Sequence, residues 1–248
     1  MSPAIWWIGH ATALIEIDGK RLVTDPVLGN RVGPLVRIAA PVAEDRLGVI
    51  DAVLLSHLHA DHASLRSLRA VGAAAPVIAP RGAGAWLTRN GLQDVRELTP
   101  GASTRIGRLD VSATRAEHDA QRRPFGVRAD PIGYLVRGSI SVYFAGDTDL
   151  FDEIEDLRGE VDVALLPVWG WGSRLGPGHL DPERAAQAAA LIAPRLAIPI
   201  HWGTFALGWP ARWPKDPELP TREFAALVER DAPGVEVRVL APGQRLDV

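Results

Sequence analysis

Four side chains of the types that bind metal ions crowd into six consecutive positions, His57-Leu58-His59-Ala60-Asp61-His62, directly behind the apolar run Ala52–Leu55. In an extended segment residues two apart point to the same side, so His57 and His59 can reach one ion together. Asp61 and His62 fall where the chain leaves the strand, and can serve a second ion nearby. Keeping four such groups close is costly unless a cation or water satisfies them. The pattern therefore calls for a fold that ends buried strands at a common sheet edge, where side chains from several strands converge.

The rest of the sequence supplies the partners. Of seven histidines, three lie in this run and the others are His10, His118, His179 and His201. His118 follows the expected strand Leu109–Thr114, Asp147 follows Ile140–Ala145, and His201 follows Leu196–Ile200. The chain has no cysteine, which excludes disulfides, thiolate metal sites, iron–sulfur clusters and a cysteine nucleophile. Any metal must rest on imidazole and carboxylate. With 27 basic and 30 acidic side chains the formal charge is -3; with no strongly basic tract, nucleic acid is not an expected partner. No apolar run approaches the roughly 18–20 residues of a membrane span. The start MSPAIWWIGHATALIEI has no basic stretch ahead of its apolar residues, so a cytoplasmic location is expected.

Apolar patterning predicts strands at Ala4–Ile8, around Ala13, Ile15 and Ile17, at Arg21–Thr24 after an Asp18-Gly19 turn, and at Pro76–Ala79. Further strands are expected at Ile132–Val136, Val161–Leu166 and Val235–Leu240. Helical spacing of Leu65, Leu68 and Val71 predicts one helix, and Gly84–Asn90, Pro182–Ile192 and Thr221–Arg230 predict three more. Asp181 is placed to cap the third. Hairpin-linked strands followed by helix–strand alternation indicate a layered α+β domain, read as one domain over residues 1–248. The partly apolar segment 26–48 either packs over the core or forms a flap beside a pocket.

The run His57–His62, with His118, Asp147 and His201 following in order, resembles the metallo-β-lactamase superfamily. Trp7-Ile8-Gly9-His10-Ala11-Thr12, Thr24-Asp25-Pro26, Gly178-His179-Leu180-Asp181 and Ile200-His201-Trp202-Gly203 more closely resemble the branch that contains N-acylphosphatidylethanolamine phospholipase D and ascorbate-6-phosphate lactonase. The resemblance implies a four-layer αββα sandwich with the metal site at one edge. It implies that His57, His59 and His118 bind one ion, that Asp61, His62 and His201 bind a second, and that Asp147 bridges them. An oxygen-reducing di-iron relative would place a carboxylate where His59 stands, which speaks against redox chemistry.

Zinc is the expected ion for such a set, and manganese or iron(II) is also compatible. Two divalent cations facing two aspartates leave excess positive charge. That charge attracts an anionic group and stabilises negative charge built up by attack on phosphorus or a carbonyl carbon. The expected activity is hydrolysis of a small anionic or ester-like substrate. A phosphodiester, phospholipid-like or otherwise, is the first expectation; a lactone or other cyclic ester is the alternative, and a non-enzymatic metal-binding protein a third.

Asp61 has a second expected role, aligning the attacking water. His179 is either a proton donor to the leaving group or a substrate contact, or else a residue that supports the ligands from behind or caps the helix in the Gly-His-Leu-Asp turn. His10 and Asp25 are expected to support the ligands from behind. Five of the eight tryptophans lie between Trp169 and Trp213, as an aromatic wall or as a cap on the sandwich edge. Arg122, Arg123, Arg128 and Arg174 could meet phosphate oxygens. However, all but Lys20 and Lys215 of the 27 basic residues are arginine, so arginine clusters also arise by composition alone.

Overall fold

A computed structural model describes residues 2–72, 74–122, 126–170, 176–209 and 215–248. Arg123, Trp171, Arg174 and Trp213 lie outside the described residues.

Alternation along the strands builds two large sheets. The first runs, edge to edge, through Gln244–Asp247, Ala4–Gly9, Thr12–Ile17, Lys20–Thr24, Ala52–Leu54, Val77–Pro80 and Val95–Leu98. The second runs through Glu236–Val237, Leu196–Ile200, Val163–Pro167, Ser141–Phe144, Ile132–Arg137, Leu109–Arg115 and Ser103–Ile106. Each is antiparallel where hairpins join neighbours and parallel where a longer crossover returns the chain.

Side chains two apart share a face, and that rule sets the layers. Ile5, Trp7, Ala13, Ile15 and Leu54 pack between the sheets against Val111, Tyr134, Val136 and Phe144. Their neighbours Trp6, Ile8, Leu14, Val53 and Leu55 face the other way, against Leu68 of α1 (Leu65–Gly72) and Leu87 of α2 (Gly84–Arg89). On the far side, α3 (Pro182–Ile192) and α4 (Leu219–Asp231) cover the second sheet with Ala185, Ala188, Ile192, Phe224 and Val228. The order is helix, sheet, sheet, helix, as expected for an αββα sandwich. Asp181 caps α3: its carboxylate accepts the Arg184 backbone N–H at 2.9 Å, and Pro182 occupies the first turn.

One expectation needs correction, and for segment 26–48 the structure bears out packing over the core, with Leu28, Val42 and Leu47 buried against it. The strand expected at 235–240 is short, Glu236–Val237, and the last strand is instead Gln244–Asp247, antiparallel to Ala4–Gly9. That strand is a half-wet edge on which only Leu246 packs against the core, so its sequence has no apolar alternation to read. Segment 26–48 contains Arg31–Val32 and Leu35–Arg37, which pair with each other, and Leu35–Arg37 also pairs with Phe205–Leu207 to make a third, three-stranded sheet. Val27, Leu35 and Phe205 form its small apolar centre. The segment is thus pinned to the chain just beyond His201, with Ile38 N–H donating to Thr204 O at 2.9 Å.

Candidate metal centre

The sequence-predicted residues meet at one edge of the sandwich because each follows the end of a neighbouring strand. His57–His62 continue from Ala52–Leu54, His118 from Leu109–Arg115, Asp147 from Ser141–Phe144 and His201 from Leu196–Ile200. Donor atoms of His57, His59 and His118 lie within 4.8 Å of one another, as do those of His10, Asp61, His62 and His201. Asp147 stands between the two sets. Its Oδ2 is 3.2 Å from His62 Nε2 and 4.0 Å from His118 Nε2, and its Oδ1 is 3.2 Å from His201 Nε2.

Each of the five imidazoles turns one nitrogen outward to an oxygen acceptor. His59 Nε2 meets Gln121 O at 3.1 Å, His118 Nδ1 meets Gly178 O at 2.6 Å, and His201 Nδ1 meets Trp169 O at 2.5 Å. His62 Nδ1 meets Asp25 Oδ2 at 2.7 Å. His57 Nδ1 meets Ser56 Oγ at 2.9 Å; that hydroxyl donates its own proton to Asp25 Oδ2 at 2.5 Å and so accepts from the ring. A carbonyl or carboxylate oxygen can only accept, which assigns a proton to each outward nitrogen; a lone pair is left on the inward nitrogen wherever the ring is neutral. Inward nitrogens then meet one another, His118 Nε2 with His59 Nδ1 at 3.0 Å and His62 Nε2 with His201 Nε2 at 3.2 Å. His57 Nε2 and Asp147 Oδ1 are buried with no hydrogen-bond partner. The facing lone pairs of His59 and His118 and the two orphaned atoms are an arrangement that a cation resolves, and an all-nitrogen-and-oxygen set fits zinc, manganese or iron.

The electrostatics agree. Burial, with neighbouring imidazoles adding, pushes His57 well below its ordinary value. Burial likewise lowers His59 and His118, and takes His201 down to about 3. Asp147 is held far below the usual carboxylate range against its burial, by His201, His62 and His118. Asp61 is lowered by His62 and His10, also against burial. His62 goes the other way: burial opposes it, yet Asp147 and Asp61, with hydrogen bonds from Asp147 and Asp25, raise it well above its ordinary value.

The backbone is bent to serve this geometry. His10, Asp25 and His201 all have positive φ, at 55°, 31° and 65°, a conformation that costs L-residues energy and collects at functional sites. Asp25 lies behind the site: it receives Ser56 N–H at 2.7 Å, Ser56 Oγ and His62. Ser56 was not singled out in the sequence; beyond its position before His57, nothing marks it.

His179 lies at the site rather than capping α3, a task that Asp181 performs. Its Nε2 is 3.8 Å from Asp147 Oδ2, and its ring stands edge-on to His118 at 4.6 Å. It lines a cavity of about 590 Å³ with His59, His118, Glu117, Asp119 and Asp149.

Other expectations are redirected. Arg122 is spent inside the protein, where its guanidinium donates to Leu58 O at 2.5 Å and Ala63 O at 3.3 Å and lies over Trp86. It braces the ligand loop instead of facing phosphate. Arg128 is exposed, 4.0 Å from Asp130. Trp202 is buried, stacked on Trp7 with ring centres 4.9 Å apart, so it is core; Trp169 packs partly against the same core, and Trp209 is exposed.

Comparison with known proteins places this geometry. The beta-lactamase superfamily domain matches residues 20–202. A UPF0173 protein of Pyrococcus furiosus is 33% identical over 91% of this chain and 94% of its own length. A UPF0173 metal-dependent hydrolase of Caldivirga maquilingensis is 31% identical over 98% and 96%. Among solved structures, Igni18, described as a novel metallo hydrolase from Ignicoccus hospitalis, superposes with a TM-score of 0.74 at 27% identity, covering 99% of this chain and 98% of that one. The domain match over most of the chain, with relatives above 30% identity along nearly its whole length, shows that this chain belongs to the beta-lactamase superfamily.

Proposed function

We propose that this protein is a metal-dependent hydrolase that holds two divalent cations, zinc first among them, and cleaves a small phosphodiester. One observation carries the reading: five imidazoles, each with its outward nitrogen tied to an acceptor, turn their inward nitrogens into one cluster with Asp61 and Asp147. His57, His59 and His118 would hold one cation, Asp61, His62 and His201 the other, with Asp147 shared between them. Bound there, the cations would supply Lewis acidity and a water activated near neutral pH.

The chain's own groups do the rest. Asp61 offers a carboxylate that accepts a hydrogen bond from the attacking water and aligns it. Across Asp147, His179 faces the cavity, placed to hand a proton to the departing oxygen. Both sheets contribute ligands, which supports reading residues 1–248 as one domain.

A second reading has its own support. Among the described residues the cavity wall carries Glu117, Asp119 and Asp149 and no arginine or lysine. Arg184 pairs with Asp149 and Arg115 with Glu117, so the wall itself offers an anion no free cation among those pairs, and a neutral lactone or cyclic ester needs none. The deciding assay offers bis(p-nitrophenyl) phosphate and a panel of lactones to metal-replete and chelated protein. Phosphodiester turnover that a chelator abolishes and zinc or manganese restores supports the proposal; lactone opening alone establishes the second reading. No turnover of either class, with metal bound, defeats both.

A further inference from the structure

His10 touches both halves of what would be the second cation pocket. Its Nε2 is 3.0 Å from Asp61 Oδ2, with the two side chains 3% and 9% exposed. Its backbone carbonyl accepts the His201 N–H at 2.9 Å, and the Trp7 indole N–H at 2.9 Å. Its own N–H donates to Thr204 Oγ1 at 2.7 Å. The ring lies 3.9 Å from the His201 ring and edge-on to Phe205 at 5.4 Å. All this is reached from a backbone held at φ 55°, next to Gly9 at φ 128°, where a Cβ would meet Thr204 Oγ1 at 2.9 Å.

Among the described residues no comparable single residue ties the candidate ligands of the first pocket, which are fixed through Ser56, Gln121 O and Gly178 O separately. We infer that His10 is the positioning residue of the second pocket: one side chain fixes the Asp61 carboxylate while its main chain fixes His201. The inference rests on the two-cation reading above. It assigns His10 to cation placement, and no contact with substrate is required of it. An outer partner of this kind is worth about 10–100-fold in metal affinity.

The test separates hydrogen bonding from packing. His10→Phe keeps an aromatic ring between His201 and Phe205 but removes the donor; His10→Gln keeps an N–H donor without the ring. Zinc and cobalt(II) are titrated against a competing chelator into wild type and both variants, with the cobalt absorption spectrum recorded at each equivalent. The expected result is one equivalent held as in wild type and a second weakened about 10–100-fold in His10→Phe. The second-equivalent spectrum should change in that variant, and His10→Gln should recover most of the loss. The retained first equivalent shows that the variant is folded. Wild-type affinity for both equivalents in His10→Phe overturns the inference, and so does equal weakening of both equivalents in the two variants, which marks a packing role. Wild-type protein that takes up no cation defeats the proposed function itself, and this inference with it.

Discussion

The Asp25 carboxylate accepts a hydrogen bond from His62 Nδ1 at 2.7 Å, with both side chains fully buried. The same carboxylate holds Ser56, whose hydroxyl receives His57. One residue behind the cluster therefore orients a proposed ligand of each cation.

Asp25→Asn removes the anion that fixes the His62 tautomer. Outer partners of this kind are worth about 10–100-fold in metal affinity, and the expected loss falls on both equivalents because the proposed function assigns His57 and His62 to different cations. Chelator-competition titration checks it. A loss confined to one equivalent would show that Ser56 holds His57 without help from Asp25.

Removing the shared carboxylate should differ from removing a ligand on one side. Asp147 faces His62, His118 and His201 at 3.2, 4.0 and 3.2 Å. Asp147→Asn is expected to lower occupancy of both cations, whereas His201→Ala should empty mainly one. Metal content after dialysis decides the matter: two full equivalents in Asp147→Asn would end its bridging role.

The two halves of this site were unequally legible in the sequence. Candidate ligands in a single run, His57 to His62, announce themselves because a strand end forces them together within six positions. His118, Asp147 and His201 could be added because each follows an apolar strand. The outward acceptors could not be read. Gln121 O, Trp169 O and Gly178 O are main-chain carbonyls, and every residue carries one, so only the folded path shows which is used. Arg122 misled for a related reason: a guanidinium beside a ligand loop suggests phosphate, but carbonyls of that loop satisfy it first. The edge strand Gln244–Asp247 leaves little pattern in the sequence because it is held mainly by pairing with the backbone of Ala4–Gly9, with only Leu246 of its side chains packed inward.

Cation uptake should release a proton. In protein stripped by a chelator, Asp147 and Asp61 outweigh burial and hold His62 protonated above its ordinary value of 6.5. Stability drawn from that proton is complete below 6.5 and is lost as the pH rises through the raised value. A cation needs the neutral ring, so apparent affinity is expected to rise by about tenfold per pH unit until the pH passes that value. Calorimetry in buffers of different ionisation enthalpy counts the proton directly. Zero release near neutral pH would mean that His62 is already neutral in the stripped protein.

His179 can be tested without disturbing the cations. His179→Ala should keep metal content while kcat falls, most for substrates with poor leaving groups, because a proton donor matters most where the departing oxygen is most basic. A decrease of equal size across a leaving-group series would remove the donor role and leave only a contact with substrate.

Gly146 offers a structural test of how tightly the supporting network is packed. It has φ 63°, and a Cβ there would come within 2.6 Å of Ser56 Cβ and 2.9 Å of Ser56 Oγ. Gly101 is the control: its φ is 85°, but a Cβ would meet nothing within 4 Å. Gly101→Ala should cost only the backbone strain of an L-residue at positive φ, about 1–2 kcal/mol. Gly146→Ala adds overpacking against Ser56, about 1–3 kcal/mol more, and pushes Ser56 away from Asp25 and His57. Denaturant unfolding of chelated protein measures the first cost, and metal titration measures the second. If both alanine variants lose equal stability and bind cations like wild type, Ser56 has room to move and does not set the position of His57.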